Sequence, residues 1–492
     1  MSAGGYAITT VIHWFRRDLR LGDNPALRAA SEAGNVLPVF ILDDCNAGEQ
    51  RAGAASRWWL HHSLIALDQS LDGRLLILRG DPLQLLPRLA RLTDSSGLYW
   101  NRCYEPWQIR RDKALKSALQ EQGLHVQSEN GSLLWEPWTV LKKDDTPYRV
   151  FTPFYRKGCL PKGEPPQPRA APEPTLLNAP KSVTKAADLK NAFCGQGETG
   201  IRTLGLLPEI PWDSGLKESW TIGEQAASER LGSFLESGLD GYQQGRDFPG
   251  EEKVSRLSPH LHFGEISPRQ AWHRAQAAGH AAGLEKDLDS FCSELAWREF
   301  SYYLLFHFPQ LPHSNFQDKF DRFPWTDDPE LRQAWQQGQT GFPLIDAGMR
   351  ELWETGYLHN RVRMVVASFL IKNLLQHWHH GEAWFRDTLV DFDLASNSAS
   401  WQWVAGSGAD AAPYFRIFNP VTQSEKFDPQ GKYIRRFVPE LAGLPDRYVH
   451  KPWGAPEEVL AEAGVRLGEN YPERIIDLKA SRERALLAFQ SL

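Results

Sequence analysis

The sequence predicts an α/β domain built on a doubly wound parallel sheet, followed by a larger all-α domain. Three changes of texture carry this reading. Up to about residue 130, short β-branched and aromatic runs alternate with helical stretches, the pattern of a parallel sheet with helices on its faces. Residues 131–210 are rich in Pro and poor in apolar periodicity and read as an interdomain linker. From 211 to 492, helical periodicity dominates and strand signals are scarce. The expected domains are therefore 1–130, 131–210 and 211–492.

Residues 8–15 read as the first strand, from Ile8 to Phe15. The loop Arg16-Arg17-Asp18-Leu19-Arg20 follows, and Asp23 or Asn24 caps a helix with Pro25 at its first position. Strands are expected at 36–42, 75–79, 97–100 and 124–126. Helices are expected at 55–71 and after Asp81-Pro82. No G-x-G-x-x-G follows the first strand, so a nicotinamide dehydrogenase loses its main support. Gly163–Pro168 and Ala171–Pro174 are the linker-like runs. Helical periodicity then marks 222–235, 291–305, 341–355, 360–375 and 381–389.

Composition narrows the function. At 492 residues, two domains are the natural expectation. A net charge of −6 does not announce a nucleic-acid binder, so DNA binding would need a local basic patch. Five scattered cysteines without CxxC spacing argue against a disulfide framework or a structural zinc site and fit a reducing cytosol. No basic-then-apolar leader and no membrane-length apolar run is present. Nineteen tryptophans against three methionines point towards cofactor or base-stacking chemistry.

Four stretches of the helical half carry chemistry. In Asp391–Trp403, a helix would set Asp393, Asn397 and Trp401 on one face; acid, amide and indole there suit a planar polar ligand, while a capped core helix is the plainer alternative. Ser255-Arg256-Leu257-Ser258-Pro259 is a hydroxyl-rich helix entry, suited to phosphate or to simple capping. Glu294 and Trp297 share a face on which a carboxyl and an indole could meet a base; an amphipathic helix with Arg298 and Glu299 pairs is the alternative. His359–Met364 places Asn360 with Met364, and sets Arg361 and Arg363 elsewhere, as phosphate contacts or as a solvated basic face.

In this order, and with Trp14–Arg20 and Phe418–Asp428 at the two ends, these stretches resemble the photolyase/cryptochrome family over essentially the whole chain. The resemblance implies an antenna domain ahead of a helical domain holding a U-shaped FAD. By position, Tyr242, Val254, Ser255, Arg256, Leu257, Ser258, Phe291, Arg363, Asp391, Asp393 and Asn397 are the implied FAD contacts. Asn397 would face flavin N5; the family's repair enzymes carry Asn there and plant-type receptors Asp. Glu294, Trp297, Asn360, Met364 and Asn397 form the implied catalytic set. Arg246, Glu294, Trp297, Arg361, Trp403 and Gln423 are the implied DNA contacts. Trp401, Trp378 and Trp325 match the family's electron-transfer chain. Enzymes for the (6-4) photoproduct carry a catalytic histidine in the Asn360–Met364 region. Asn and Met here favour the cyclobutane dimer.

The resemblance therefore implies a light-dependent deoxyribodipyrimidine lyase. Reduced FAD would lend an electron to a flipped pyrimidine dimer in UV-damaged DNA and recover it after ring splitting, with no metal required. The alternative on the same fold is a cryptochrome-type blue-light receptor. Asn397, the Glu294/Trp297/Asn360/Met364 set and the absence of a long polar tail favour repair. An antenna chromophore, with methenyltetrahydrofolate the leading candidate and a flavin-type antenna or none also open, is expected near Glu105 and Gln108. There Trp107-Gln108 departs from the Asn-Glu pair of a folate-binding branch. A cytoplasmic, membrane-free monomer completes the expectation.

Overall fold

The computed structural model describes residues 9–189, 191–411 and 415–492. Met1–Ile8, including the first residue of the expected opening strand, lie outside the described residues. The N-terminal half contains β1 (Thr10–Phe15), α1 (Pro25–Ala33), β2 (Asn35–Leu42), α2 (Ala54–Ser70), β3 (Leu76–Arg79), α3 (Pro82–Leu92), β4 (Ser95–Asn101), α4 (Pro106–Glu121) and β5 (His125–Glu129). Asn24 caps α1 by accepting from Leu27 N, with Pro25 preset for the first turn; Asp81 and Pro82 do the same for α3.

The sheet runs β5-β4-β1-β2-β3-β6, with β6 at Phe193–Gln196. The first five strands are parallel, and β1 pairs on one side with β2 (Trp14 opposite Val39) and on the other with β4 (Val11 opposite Gly97). The sixth strand corrects the expectation for 131–210. That stretch is more than a connector, because β6 lies antiparallel on β3 and Leu176 bridges Val36. Its short length and the weak alternation of Phe-Cys-Gly-Gln hide it in the sequence, and only the exposed edge of β3 makes it a strand.

The helical half includes α5 (Glu224–Ser233), α6 (Pro268–Ala282), α7 (Glu285–His307), α8 (Pro343–Thr355), α9 (Asn360–Ser368), α10 (Trp378–Thr388), α11 (Leu394–Ala405), α12 (Pro420–Phe427) and α13 (Leu478–Gln490). Ser267 opens α6 with a capping box completed by Gln270. Among the described residues, no helix is long and apolar enough to cross a membrane.

The two halves share a core. Trp58 and Trp59 of α2 pack in one buried cluster with Trp220, Phe263, Tyr357 and Val390. Their indole N–H groups donate to Asp213 at 2.9 Å and Glu265 at 3.1 Å. The loop after β1 leaves the sheet between β2 and β4, where strand order reverses and open α/β sheets usually bind ligands. Here that crevice is filled by protein. Leu19 N donates to Phe263 O, and the buried Arg20 donates to Gly264 O at 2.9 Å and Gly131 O at 2.8 Å.

Gly264 is central to this seam. Its φ of +70° lies in the left-handed region, and an added Cβ would stand 2.2 Å from Arg17 O. Gly264→Ala is expected to destabilise the protein by at least about 2 kcal/mol, the scale of left-handed strain on a residue with a Cβ plus the clash. A fall in the urea midpoint checks this, and an unchanged midpoint would show that the seam yields without cost.

Candidate active site

Three helices converge on one cavity. α7 begins with acids in its first turn, which suits the positive end of the helix, and presents Glu294, Trp297 and Ser301 at spacings of three and four. α9 is capped by His359, whose Nδ1 accepts from Arg361 N at 3.2 Å, and presents Asn360 and Met364 one turn apart. α11 is capped by Asp393, whose Oδ1 accepts from Ser396 N at 2.9 Å, and presents Asn397, Trp401 and Trp403. Asp393 is thus a helix cap that also lies in the cavity wall.

The cavity measures about 550 Å³. Its wall contains Arg246, Ser258, Glu294, Trp297, Asn360, Arg361, Arg363, Met364, Asp391, Asp393, Asn397, Trp401 and Trp403 among the residues expected from the sequence. Tyr357, Phe385 and Arg298 join them unforeseen. Asp391 and Arg363 pair at 2.8 Å, and Arg363 Nε donates to Leu358 O at 2.7 Å. The Asn397 amide nitrogen donates to Glu382 O at 3.2 Å. Asn360 Nδ2 lies 4.0 Å from Met364 Sδ. Arg246 Nη1 holds Glu294 Oε1 at 2.5 Å. Burial pushes the Glu294 carboxyl above the ordinary glutamate range, and Arg246 opposes it.

Asp393 is the most tightly held acid. Its Oδ2 accepts from the Tyr302 hydroxyl and lies 3.5 Å from His262 Nδ1 and 3.9 Å from Arg17 Nη1. Burial alone would raise its pKa. The His262 contact, Arg17 and Arg298 outweigh burial and hold the carboxyl well below the usual carboxylate range.

Trp297 has one indole face stacked on Phe151, centroids 3.8 Å apart and planes 10° apart. Phe151 comes from the stretch expected to be linker, so its place under a cavity-wall indole was not readable from the helical pattern. Trp401 fits against α10 because residue 381 is Gly: a Cβ there would lie 2.0 Å from the indole.

Other expected residues stand outside the wall. Tyr242 and Phe291 pack edge to face at 5.8 Å behind it. Val254 and Ser255 are half-buried, Leu257 is buried, and the Arg256 guanidinium lies over Trp220 and Tyr357 at 4.3 and 4.8 Å. Gln423 sits on α12. Trp378 is fully buried and donates to Asn315 Oδ1 at 3.1 Å. The His377 ring stands beside both Trp378 (5.6 Å) and Trp325 (5.1 Å). Trp401 meets Phe385 at 4.9 Å and Trp335 at 6.4 Å; among the described residues, Trp378 is not one of its ring contacts.

Glu105 pairs with Arg17 at 2.5 Å, and its Oε2 accepts from Trp107 Nε1 at 2.6 Å, which sets the carboxylate at the domain seam. Gln108 is buried with Oε1 unpartnered.

Two buried polar atoms of wall residues, Asp391 Oδ1 and Arg361 Nε, lack a partner from the chain. Buried polar atoms are rarely left unpaired, so donors and acceptors are available here for a polar ligand.

Comparison with known proteins agrees with this arrangement. Residues 11–173 match the model for DNA photolyase, and residues 291–491 match the FAD binding domain of DNA photolyase. The chain is 50% identical to the deoxyribodipyrimidine photo-lyase of Agrobacterium fabrum over 98% of each chain. The crystal structure of a bacterial class III photolyase from Agrobacterium tumefaciens superposes with a TM-score of 0.90 at 48% identity, covering 99% of this chain and 98% of that one. Cryptochrome-2 of Arabidopsis thaliana is 39% identical over 96% of this chain and 77% of its own. A sheet domain docked through its β1 loop onto a helical cavity of acids, amides and indoles, and these whole-length identities, lead to one conclusion: the chain belongs to the photolyase/cryptochrome family.

Proposed function

We propose that the protein is a deoxyribodipyrimidine photo-lyase, which uses light to split cyclobutane pyrimidine dimers in DNA. One observation carries the reading: a single cavity is walled by both the acid–arginine–amide group suited to a flavin and the carboxyl–indole–amide group suited to a flipped dimer.

The residues present fit FAD. Arg363 and Asp391 would hold the polar edge of the isoalloxazine, and Asn397 would face it with the amide oxygen left free by its bond to Glu382 O. Ser258 and Arg256 would supply donors for the phosphates and ribityl chain. Held there in its reduced form, FAD would supply light-driven one-electron chemistry for opening the cyclobutane ring. The protein's part is to bind, orient and exclude water. Trp297, backed by Phe151, offers a flat apolar wall for the extruded bases, and Asn360 and Met364 line the pocket beside it. Glu294, held by Arg246, brings a carboxyl to the same wall, where it would meet a pyrimidine carbonyl. Arg246 and Arg361 on the rim suit backbone phosphates. The net charge of −6 is no obstacle, because the cations are local.

Trp401, Trp378 and Trp325 form the proposed route by which an oxidised cofactor is reloaded with electrons, His377 lying between the last two. A folate-type antenna remains our reading for the second chromophore, with Glu105 and Gln108 as its contacts. A near-ultraviolet band beside the flavin band, lost in Gln108→Ala, tests it. We place the protein in the cytosol as a monomer, consistent with five unpaired thiols. The receptor reading shares the fold and rests on the 39% identity to a cryptochrome. Asn397 and the Glu294 pocket favour repair.

Illumination of reduced protein with a dimer-containing oligonucleotide should restore thymine absorbance; failure to do so would remove the repair reading. Glu294→Ala should lower the repair quantum yield by roughly tenfold, the scale of one hydrogen bond to a charged group. Damaged-DNA affinity should change less, because Arg246 stays available to phosphate; equal losses in both would sink the catalytic role. Trp325→Phe should slow photoreduction of oxidised flavin by about tenfold and leave repair by pre-reduced enzyme intact. A pre-reduced variant that fails to repair would make Trp325 structural.

A further inference from the structure

Two ion pairs cross the cavity rim, and both start from neighbouring residues of one loop. Arg246 holds Glu294 on α7, and Asp247 Oδ1 accepts from Arg361 Nη2 on α9 at 2.6 Å. Arg246, Glu294 and Arg361 are all wall residues, whereas Asp247 lies behind them. The loop is tied on both sides. Gly241 N and Gln243 N donate to Asp287 on α7, and Lys253 Nζ donates to Ser237 O and Asp240 O.

Arg361 has the setting of a phosphate receptor. Its guanidinium lies over the Phe427 ring at 4.4 Å, its side chain is 20% exposed, and its Nε is buried without a partner. A guanidinium held flat against a ring presents an edge of donors to any planar or tetrahedral oxyanion. In this structure a carboxylate of the same chain occupies that edge.

We propose that Asp247 is a positioning residue for DNA binding: its carboxylate stands in for a backbone phosphate on Arg361, and an incoming strand must displace it to engage the rim. The proposal rests on the DNA-repair reading. The stand-in weakens the rim's hold on bulk DNA, which offers phosphates and nothing for the cavity.

The test is Asp247→Asn, with affinities for dimer-containing and undamaged oligonucleotides measured at fixed salt. The expected result is binding about three- to fivefold tighter for both, the scale of a partly exposed ion pair. Asp247→Glu should restore the wild-type value. In an Arg361→Gln background, Asp247→Asn should add nothing. A merely structural role predicts the opposite sign, since a loosened loop weakens binding. Unchanged or weaker binding overturns the proposal, as does an equal gain in the Arg361→Gln background, which would reflect only the lost negative charge. If wild-type protein shows no preference for dimer-containing DNA, the repair reading falls and this proposal with it. A preserved preference with an inert Asp247→Asn overturns this proposal alone.

Discussion

The structure depends on a buried charge cluster at the domain seam. Asp393, Arg17, Glu105, His262 and Tyr302 meet where the loop after β1 presses into the helical half. Asp393 and Glu105 are nearly inaccessible to water. Buried ions are tolerated only with close partners, and removing one member of such a pair costs about 3–5 kcal/mol. The cluster therefore demands that the two domains dock in one arrangement. Its consequence reaches the cavity, because the same Asp393 caps α11 and sets the helix from which Asn397 and Trp401 project. The mixed wall of the cavity depends on a loop that belongs to the other domain.

Packing, at the seam and in the two domain cores, explains part of the tryptophan content. The abundance of indoles suggested cofactor chemistry, and Trp297, Trp401 and Trp403 do line the cavity. Trp14, Trp58, Trp59, Trp100 and Trp335, however, are fully buried packing elements, and Trp58 and Trp59 join the two domains. An indole combines a large apolar surface with one donor. At a seam lined with acids such as Asp213 and Glu265, that combination satisfies packing and hydrogen bonding together. Composition counts such residues without distinguishing a seam from a site.

At the rim the cavity departs from a passive groove. Glu294 and Arg361, the groups with most to offer a substrate, are each engaged by a partner on one short loop. These contacts tie both side chains to neighbouring residues, Arg246 and Asp247. The cost of exchanging them is modest because the pairs are partly exposed and water can replace either member.

Periodicity and capping were enough to place five parallel strands, the helical second half and the starts of α1 and α3, because these follow from spacing and terminal residues within a few positions. The resemblance of ordered motifs was enough to name the residues of the cavity wall, from Glu294 and Trp297 to Asn360, Met364, Asp391 and Asn397. Contacts between residues far apart in the chain were beyond both. Only the fold paired β6 with β3, set Phe151 under Trp297, turned Glu105 towards Arg17, and laid Asp247 on Arg361, 114 positions away. The physical reason is the same in each case. A strand edge, a ring face or a charge has no preference among distant partners until packing brings one within reach and excludes water from the rest. The sequence by itself named many of the residues that line the cavity; the tertiary structure decided which of them reach it, which others join them, and which are already held.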